Sequence, residues 1–289
     1  RKAFDKLNHK CTFIKLIERR IPAELLHCLM NWFSKSYSCV KWFNYYSMFY
    51  KLDQGVRQGA VLSPIVFALC IDFVTEHSVF YTSYKIFLYA DDVLIVSSSF
   101  GEVQSALGRL ELDLRSMDMH INAKKCICIR VGRHFSKLCS SLVLSDGRTL
   151  PWSQELRYLD ILIRAGQHFR CDYSNCKQKF CRSVNSMFAK LGRYASEEVM
   201  ISLVTTKGFP GLLYALEACP VLPSDLQSFD FCVYRFVMKL FHTSSRPIAD
   251  EIISRFGICL PSVAIPARTA RFLKSMEQSN NPLCCLCVV

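Results

Sequence analysis

No stretch of this 289-residue chain is apolar for long enough to cross a bilayer. The longest uncharged run, Gln58 to Ile71 between Arg57 and Asp72, is interrupted by Pro64 and falls short of the ~20 residues of a spanning helix. Internal repeats and low-complexity tracts are lacking, which excludes a repeat array. There is no signal peptide, and the chain opens on Arg1 rather than Met, so a fragment is expected. A closed zinc site is not spelled out: Cys284 and Cys287 form one CxxC with no second pair or His to complete it. A prenyl signal would need Cys at position 286, which is Leu286. Acid is scarce as well. Asp and Glu number 24 against 36 Lys and Arg, a net charge of +12, which points to a polyanionic partner: nucleic acid or an anionic membrane surface.

What is present reads as a globular chain, with 51% hydrophobic and 21% charged residues. At this length a core needs no staple. Sixteen cysteines fall below the ~8–10% density of a disulfide scaffold. Many lie in apolar runs (Cys28, Cys70, Cys219), where Cys acts as a small hydrophobe, so reduced thiols in an intracellular protein are expected.

Two helices are expected over 10–35, the second from Ala23 to Phe33 behind Pro22, with Leu25, Leu26, Leu29 and Trp32 at near-helical spacing. Tyr37 to Leu52 reads as two strands turning at Asn44. Pro64 opens an apolar helix to about Val74, and Ile86 to Ser97 reads as two strands meeting at Asp91-Asp92. Residues 102–117 predict a helix with Val103, Leu107, Leu110 and Leu114 on one stripe. Short strands are expected near 127–131 and 156–163. Helices are expected over 172–193, 196–206, 224–241 and 265–276, broken at Pro210, Pro220, Pro223, Pro247 and Pro261. The fold class is α+β, dividing into 1–165 and a helical 166–289.

Asp91 and Asp92 sit in FLYADDVLIV, between strands apolar enough to be buried. Two buried neighbouring carboxylates require protonation, a basic neighbour or a divalent cation, and hard oxygen ligands suit Mg²⁺. A surface Asp-Asp turn has the same wording. Upstream, GVRQGAVLSP (Gly55 to Pro64) places Arg57 and Gln58 between two glycines that let backbone approach a ligand; a loop entering a core helix would also suffice. RKAFDKLNH opens the chain.

In this order KAFD, GVRQGxxLSP and YADD resemble the polymerase motifs of reverse transcriptases, most closely those of non-LTR (LINE-type) retrotransposons. INAKKC (Ile121 to Cys126) resembles the family's IN-x-x-K segment, and RYLDILI (Arg157 to Ile163) its YLG-type hairpin. The resemblance implies a palm, an antiparallel sheet with helices, followed by a helical thumb. It implies RNA-directed DNA synthesis by two-metal nucleotidyl transfer with Mg²⁺, on an RNA template, a DNA primer, their RNA–DNA hybrid and deoxynucleoside triphosphates, in the nucleus. By the same resemblance Asp91 binds metal with Asp92 supporting or sharing it. Phe4 is the gate against a ribose 2′-hydroxyl, Arg57, Gln58 and Gly59 border nucleotide and template, and Lys125 protonates pyrophosphate. Lys125 also reads as a solvated basic residue.

Departures accompany the match. The family's first metal-binding Asp belongs two residues before Arg1, and the fingers precede it; Asp5 stands beyond the gate and is expected to cap or brace the turn before the next helix. Asp160 replaces the glycine of YLG, which is expected to distort a tight hairpin if that position needs positive φ, and Asp118-Met119 stands where the family has Gly-Leu. The isolated chain is therefore expected to be inactive. Basic charge clusters over Met119 to Ser145, with five Lys or Arg and no acid, and over Arg164 to Arg193, with seven against Asp172. Beside the stripe Phe180, Val184, Phe188 and Leu191, a helix presents Lys177, Lys179, Arg182, Lys190 and Arg193 to backbone phosphates or simply to solvent. The seven histidines lack ligand spacing. A non-catalytic nucleic-acid-binding remnant is the second reading, and a membrane-surface protein the third. Group II intron maturases and telomerase share the palm.

Overall fold

The computed structural model describes residues 3–76, 83–192, 194–281 and 284. Two compact units emerge: residues 1–127 with 139–152, and residues 128–138 with 153–289. The division falls near 152 rather than the expected 165, because the 155–172 strands belong with the helical unit.

In the first unit α1 (Ala3–Lys6), α2 (His9–Glu18) and α3 (Ala23–Ser34) lead into two short ladders. β1 (Tyr37–Ser38) pairs with β4 (Tyr50–Lys51), and β2 (Lys41–Trp42) with β3 (Tyr45–Tyr46), all antiparallel. The α2 cap is Asn8, whose side chain accepts from the Lys10 and Cys11 N–H groups, so Asp5 does not cap it. Pro22 stands at the N-cap of α3 with extended backbone. After α4 (Ser63–Ile71) and α5 (Phe73–Glu76), β5 (Tyr84–Tyr89) and β6 (Asp92–Ser97) form one hairpin in register from Tyr84↔Ser97 to Tyr89↔Asp92. The core joins Leu7, Val56, Val66, Phe67, Cys70, Ile71, Met117 and Met119, so it knits the α1–α2 junction, the 52–62 loop, α4 and the end of α6 (Phe100–Ser116).

Helix α6 also explains why 139–152 returns to this unit. Gln104 donates to the Val143 carbonyl (2.7 Å) and accepts from its N–H (2.9 Å), and buried Glu111 accepts from Ser145 N–H (2.8 Å) and hydroxyl (3.0 Å). These bonds fix the hairpin of β7 (Leu142–Val143) and β8 (Thr149–Leu150) while satisfying a carboxylate that burial would otherwise penalise. The expected strand at 127–131 does not form. Val131 makes only an isolated bridge to Gly166.

The second unit begins with an antiparallel sheet in which β10 (Ile161–Arg164) lies between β9 (Glu155–Tyr158) and β11 (Arg170–Asp172). Helices α7 (Ser174–Leu191), α8 (Glu197–Leu203), α9 (Phe209–Leu212), α10 (Pro223–Leu240), α11 (Arg246–Arg255) and α12 (Pro261–Glu277) follow, with a π-helical turn at Val204–Gly208. Their core includes Phe180, Val184, Val204, Phe229, Val233, Phe236 and Val237. Leu191, expected on the α7 stripe, is exposed at the last residue of the helix. Pro223, Pro247 and Pro261 each stand in a first helical turn, where the missing N–H costs nothing, so they start helices. No helix among the described residues is long and apolar enough to cross a membrane. The mixture of helices and small antiparallel sheets is α+β, as expected.

Candidate active site and nucleic-acid surface

The first two motifs interlock through backbone. Gly55 N–H donates to the Leu7 carbonyl and Val56 N–H to the Phe4 carbonyl, both at 2.8 Å. Gly55 has φ +82°, and a Cβ there would stand 2.7 Å from the Asp5 carbonyl oxygen, so only glycine lets the loop lie this close to KAFD. Gln58 Nε2 donates to Asp5 Oδ1 at 2.8 Å, which makes Asp5 a brace for the loop. Phe4 stacks on Phe67 with ring centroids 4.4 Å apart, so α4 fixes the ring that the resemblance makes a gate. Arg57 Nη2 donates to the Tyr37 carbonyl at 3.4 Å, while the Ser63 hydroxyl donates to the Arg57 carbonyl at 2.6 Å and closes the loop onto α4. Gly59 has φ +83° with open space around it.

Beside this clasp lies a pocket of about 350 Å³, walled among others by Asp5, His9, Phe33, Arg57, Gln58 and Val66. His9 meets the Gly55 carbonyl at 2.7 Å through Nε2 and the Phe33 ring edge-on at 4.7 Å. Neither His9 nor the pocket was marked by any spacing in the sequence; only the fold brings α2 against the loop.

Asp91 and Asp92 stand at the β5–β6 turn, where Ala90 adopts φ +50°. Leu88 packs on the core that holds Phe4, which ties this hairpin to the clasp. The carboxylates themselves are exposed, and of the strands beside them only Tyr84 is fully buried, the other residues being half-buried or exposed. Of the two readings of the turn, the geometry is that of a surface Asp-Asp turn: water solvates both carboxylates, and compensation is not obligatory. Among the described residues neither has a hydrogen-bond or ion-pair partner, and no three His, Cys, Asp or Glu gather into a metal-binding group. Two unpartnered hard-oxygen donors at one turn fit Mg²⁺, which takes one or two carboxylates with substrate phosphates. Lys125 is exposed in the turn 122–126, its N–H bonded to the Asn122 carbonyl at 2.9 Å, and no side-chain contact among the described residues joins it to Asp91 or the clasp.

Both unusual aspartates occupy left-handed backbone. Leu159 (φ +47°) and Asp160 (φ +67°) make the two-residue turn between β9 and β10, with Ile161 still opposite Tyr158. The tight hairpin is thus intact, because Asp tolerates this region and its carboxylate is held by Lys179 at 2.6 Å and by Arg157. Those cations, Lys179 first, keep the Asp160 carboxyl below the ordinary carboxylate range. Asp118 (φ +57°) ends α6, where Met119 N–H reaches back to the Leu114 carbonyl at 2.8 Å, and its Oδ2 accepts from Asn8 Nδ2 at 2.6 Å.

The basic face of α7 is smaller than expected. Lys177 falls on the buried side, three residues before Phe180; its Nζ donates to the Ser228 hydroxyl at 2.9 Å and lies 5.4 Å from the Phe229 ring centroid. Lys179 is engaged by Asp160. Arg182 and Lys190 are exposed, and Arg193 lies outside the described residues.

A profile of the family described as "Reverse transcriptase (RNA-dependent DNA polymerase)" matches residues 1–163. Over 133 residues the chain is 24% identical to the "Retrovirus-related Pol polyprotein from type-1 retrotransposable element R2" of Nasonia vitripennis, an overlap of 44% of this chain and 13% of that protein. The chain thus spans a small part of that relative's length. Since the family match covers more than half of the sequence and runs through KAFD, GVRQG and YADD, the chain belongs to the reverse transcriptase (RNA-dependent DNA polymerase) family, and its similarities are to the non-LTR kind.

Proposed function

We propose that the chain is the palm and thumb portion of a non-LTR reverse transcriptase, holding an RNA template, a DNA primer and an incoming deoxynucleoside triphosphate. The observation that carries this reading is the clasp: the family's first two polymerase segments are bonded residue to residue through Val56–Phe4 and Gly55–Leu7. Asp91 and Asp92 are the residues that would hold Mg²⁺, which when bound supplies Lewis-acid activation and neutralises phosphate charge. Phe4, braced by Phe67, excludes a nucleotide bearing a 2′-hydroxyl. Arg57 and Gln58 offer donors to phosphate or base, and open space at Gly59 leaves room for the strand. Lys125 donates a proton to the pyrophosphate oxygen as its bond to the α-phosphorus breaks. Arg182 and Lys190 are the residues that would meet the duplex backbone, and the protein would act in the nucleus.

Residues 1–289 alone are expected not to polymerise, since a further carboxylate must join Asp91 and Asp92. Primer extension on an RNA template with Mg²⁺ tests this: no templated incorporation is expected from 1–289, and incorporation would refute it.

A further inference from the structure

The segment between α3 and the clasp loop places an unusual number of aromatic rings in water. Trp42 pairs across the β2–β3 ladder with Tyr45, and Lys41 with Tyr46. Trp42 is 72% exposed, Phe43 80% and Tyr45 80%; Tyr46, Phe49 and Tyr50 are exposed as well. Burying one such ring is worth about 1.5–3 kcal/mol, so a fold leaving six in water forgoes a large stabilisation at this one hairpin. Phe43 adds a second anomaly. It turns the hairpin at φ +51°, a left-handed conformation that costs a bulky L-residue about 1–2 kcal/mol and that glycine or asparagine would adopt readily. The backbone is strained at the residue whose ring is held outward. The Trp42 and Phe43 rings meet edge-on, centroids 5.7 Å apart at 88°, which leaves ring faces free.

The charge around these rings is of one sign. From Leu25 to Leu52 there are three lysines (Lys35, Lys41, Lys51) and no acid. Lys41 Nζ sits 5.3 Å from the Tyr46 ring centroid, and Lys51 makes an exposed, weak pair with Asp53 at 3.5 Å. Aromatic faces interleaved with lysines, with no carboxylate in the sequence between Leu25 and Leu52, complement a strand that offers bases and phosphates together. The hairpin is also continuous with the clasp: β4 runs into Gly55, and Arg57 bonds the Tyr37 carbonyl in β1.

We propose that the Tyr37–Lys51 hairpin is a base-stacking platform for single-stranded nucleic acid, on which Trp42, Phe43 and Tyr45 take successive bases while Lys41 and Lys51 neutralise the phosphates between them. The proposal rests on the nucleic-acid-binding reading above and adds a site for the unpaired strand.

Fluorescence anisotropy of residues 1–289 with a ~15-nucleotide oligo(dT) and with an abasic strand of equal length tests it. The wild-type chain is expected to bind oligo(dT) at least ~10-fold more tightly than the abasic strand. Replacing all three rings (Trp42→Ala, Phe43→Gly, Tyr45→Ala) is expected to weaken oligo(dT) binding on the order of 100-fold, with abasic binding and the salt slope retained. A Trp42→Leu, Tyr45→Leu variant, which keeps apolar bulk but not stacking faces, is expected to lose affinity too; circular dichroism confirms that each variant is folded. Equal wild-type affinity for both strands, or unchanged oligo(dT) binding by the folded variants, overturns the platform while leaving the family reading intact. A wild-type chain that binds neither strand overturns the platform together with the nucleic-acid-binding reading on which it rests. Self-association in sedimentation that the same substitutions abolish, with oligo(dT) binding unaffected, makes the hairpin a protein-contact surface and overturns the proposal.

Discussion

At Gly55 a Cβ would meet the Asp5 carbonyl oxygen at 2.7 Å and φ is +82°, whereas at Gly59 φ is +83° and nothing lies within 4 Å. Gly59→Ala is therefore expected to cost only the left-handed backbone, about 1–2 kcal/mol, and Gly55→Ala distinctly more, since backbone must also move apart. Urea denaturation of both variants checks the order; equal losses would show that the loop does not lie against KAFD. The sequence marked both glycines but could not rank them, because their difference is the proximity of a segment fifty residues away. Asp118 and Asp160 show the converse limit. Each stands where the family has glycine, yet each keeps the left-handed turn and gives its side chain a partner. Asp160 also carries a pH prediction. Lys179 and then Arg157 depress its folded value below the 3.8 of a free carboxyl, so its stabilisation is full above that value and is lost as pH falls through the lower folded one. Thermal midpoints of the wild type are expected to drop more steeply below pH 3.8 than those of Asp160→Asn; parallel curves would contradict the pairing.

Helices announced themselves in the sequence where an apolar stripe repeats at three and four residues, as in α3, α6 and α7. Helix α11 did not, because Arg246–Arg255 carries few apolar residues and Pro247 reads as a break although it begins the helix. The π-turn at Val204–Gly208 has no 3.6-residue signature; it arises where Gly208 lets the Phe180 ring approach, a Cβ there standing 3.0 Å from the ring. Lysine placement failed for a related reason: a charged residue on the stripe side, Lys177, buries its stem and finds Ser228. Within α10 the two phenylalanines divide sharply, Phe229 being 0% and Phe231 57% exposed. Phe229→Ala is expected to cost about 3–5 kcal/mol by opening a cavity under Tyr173 and Lys177, and Phe231→Ala under about 1 kcal/mol. Similar losses in chemical denaturation would contradict the α7–α10 packing.

The surplus of +12 is spread over a chain with two compact units. Binding to an RNA–DNA hybrid is expected to weaken linearly in log salt, and Arg182→Gln with Lys190→Gln to lower the slope by about 0.9 for each phosphate no longer neutralised. An unchanged slope would show that α7 does not touch the backbone. The family and the order of its motifs were legible in the wording of KAFD, GVRQG and YADD. The clasp joining the first two was not, since backbone bonds between distant loops leave no pattern in side-chain identity. The exposure of Asp91 and Asp92 was not legible either, because it depends on which hairpin face is covered. The most direct test is primer extension on an RNA template by the chain joined to whatever residues its transcript encodes ahead of Arg1, with Asp91→Ala alongside. The account predicts Mg²⁺-dependent templated incorporation that falls on the order of 10³-fold in Asp91→Ala. A wild-type chain that binds the hybrid without extending the primer, or an Asp91→Ala chain that extends it equally well, would contradict it.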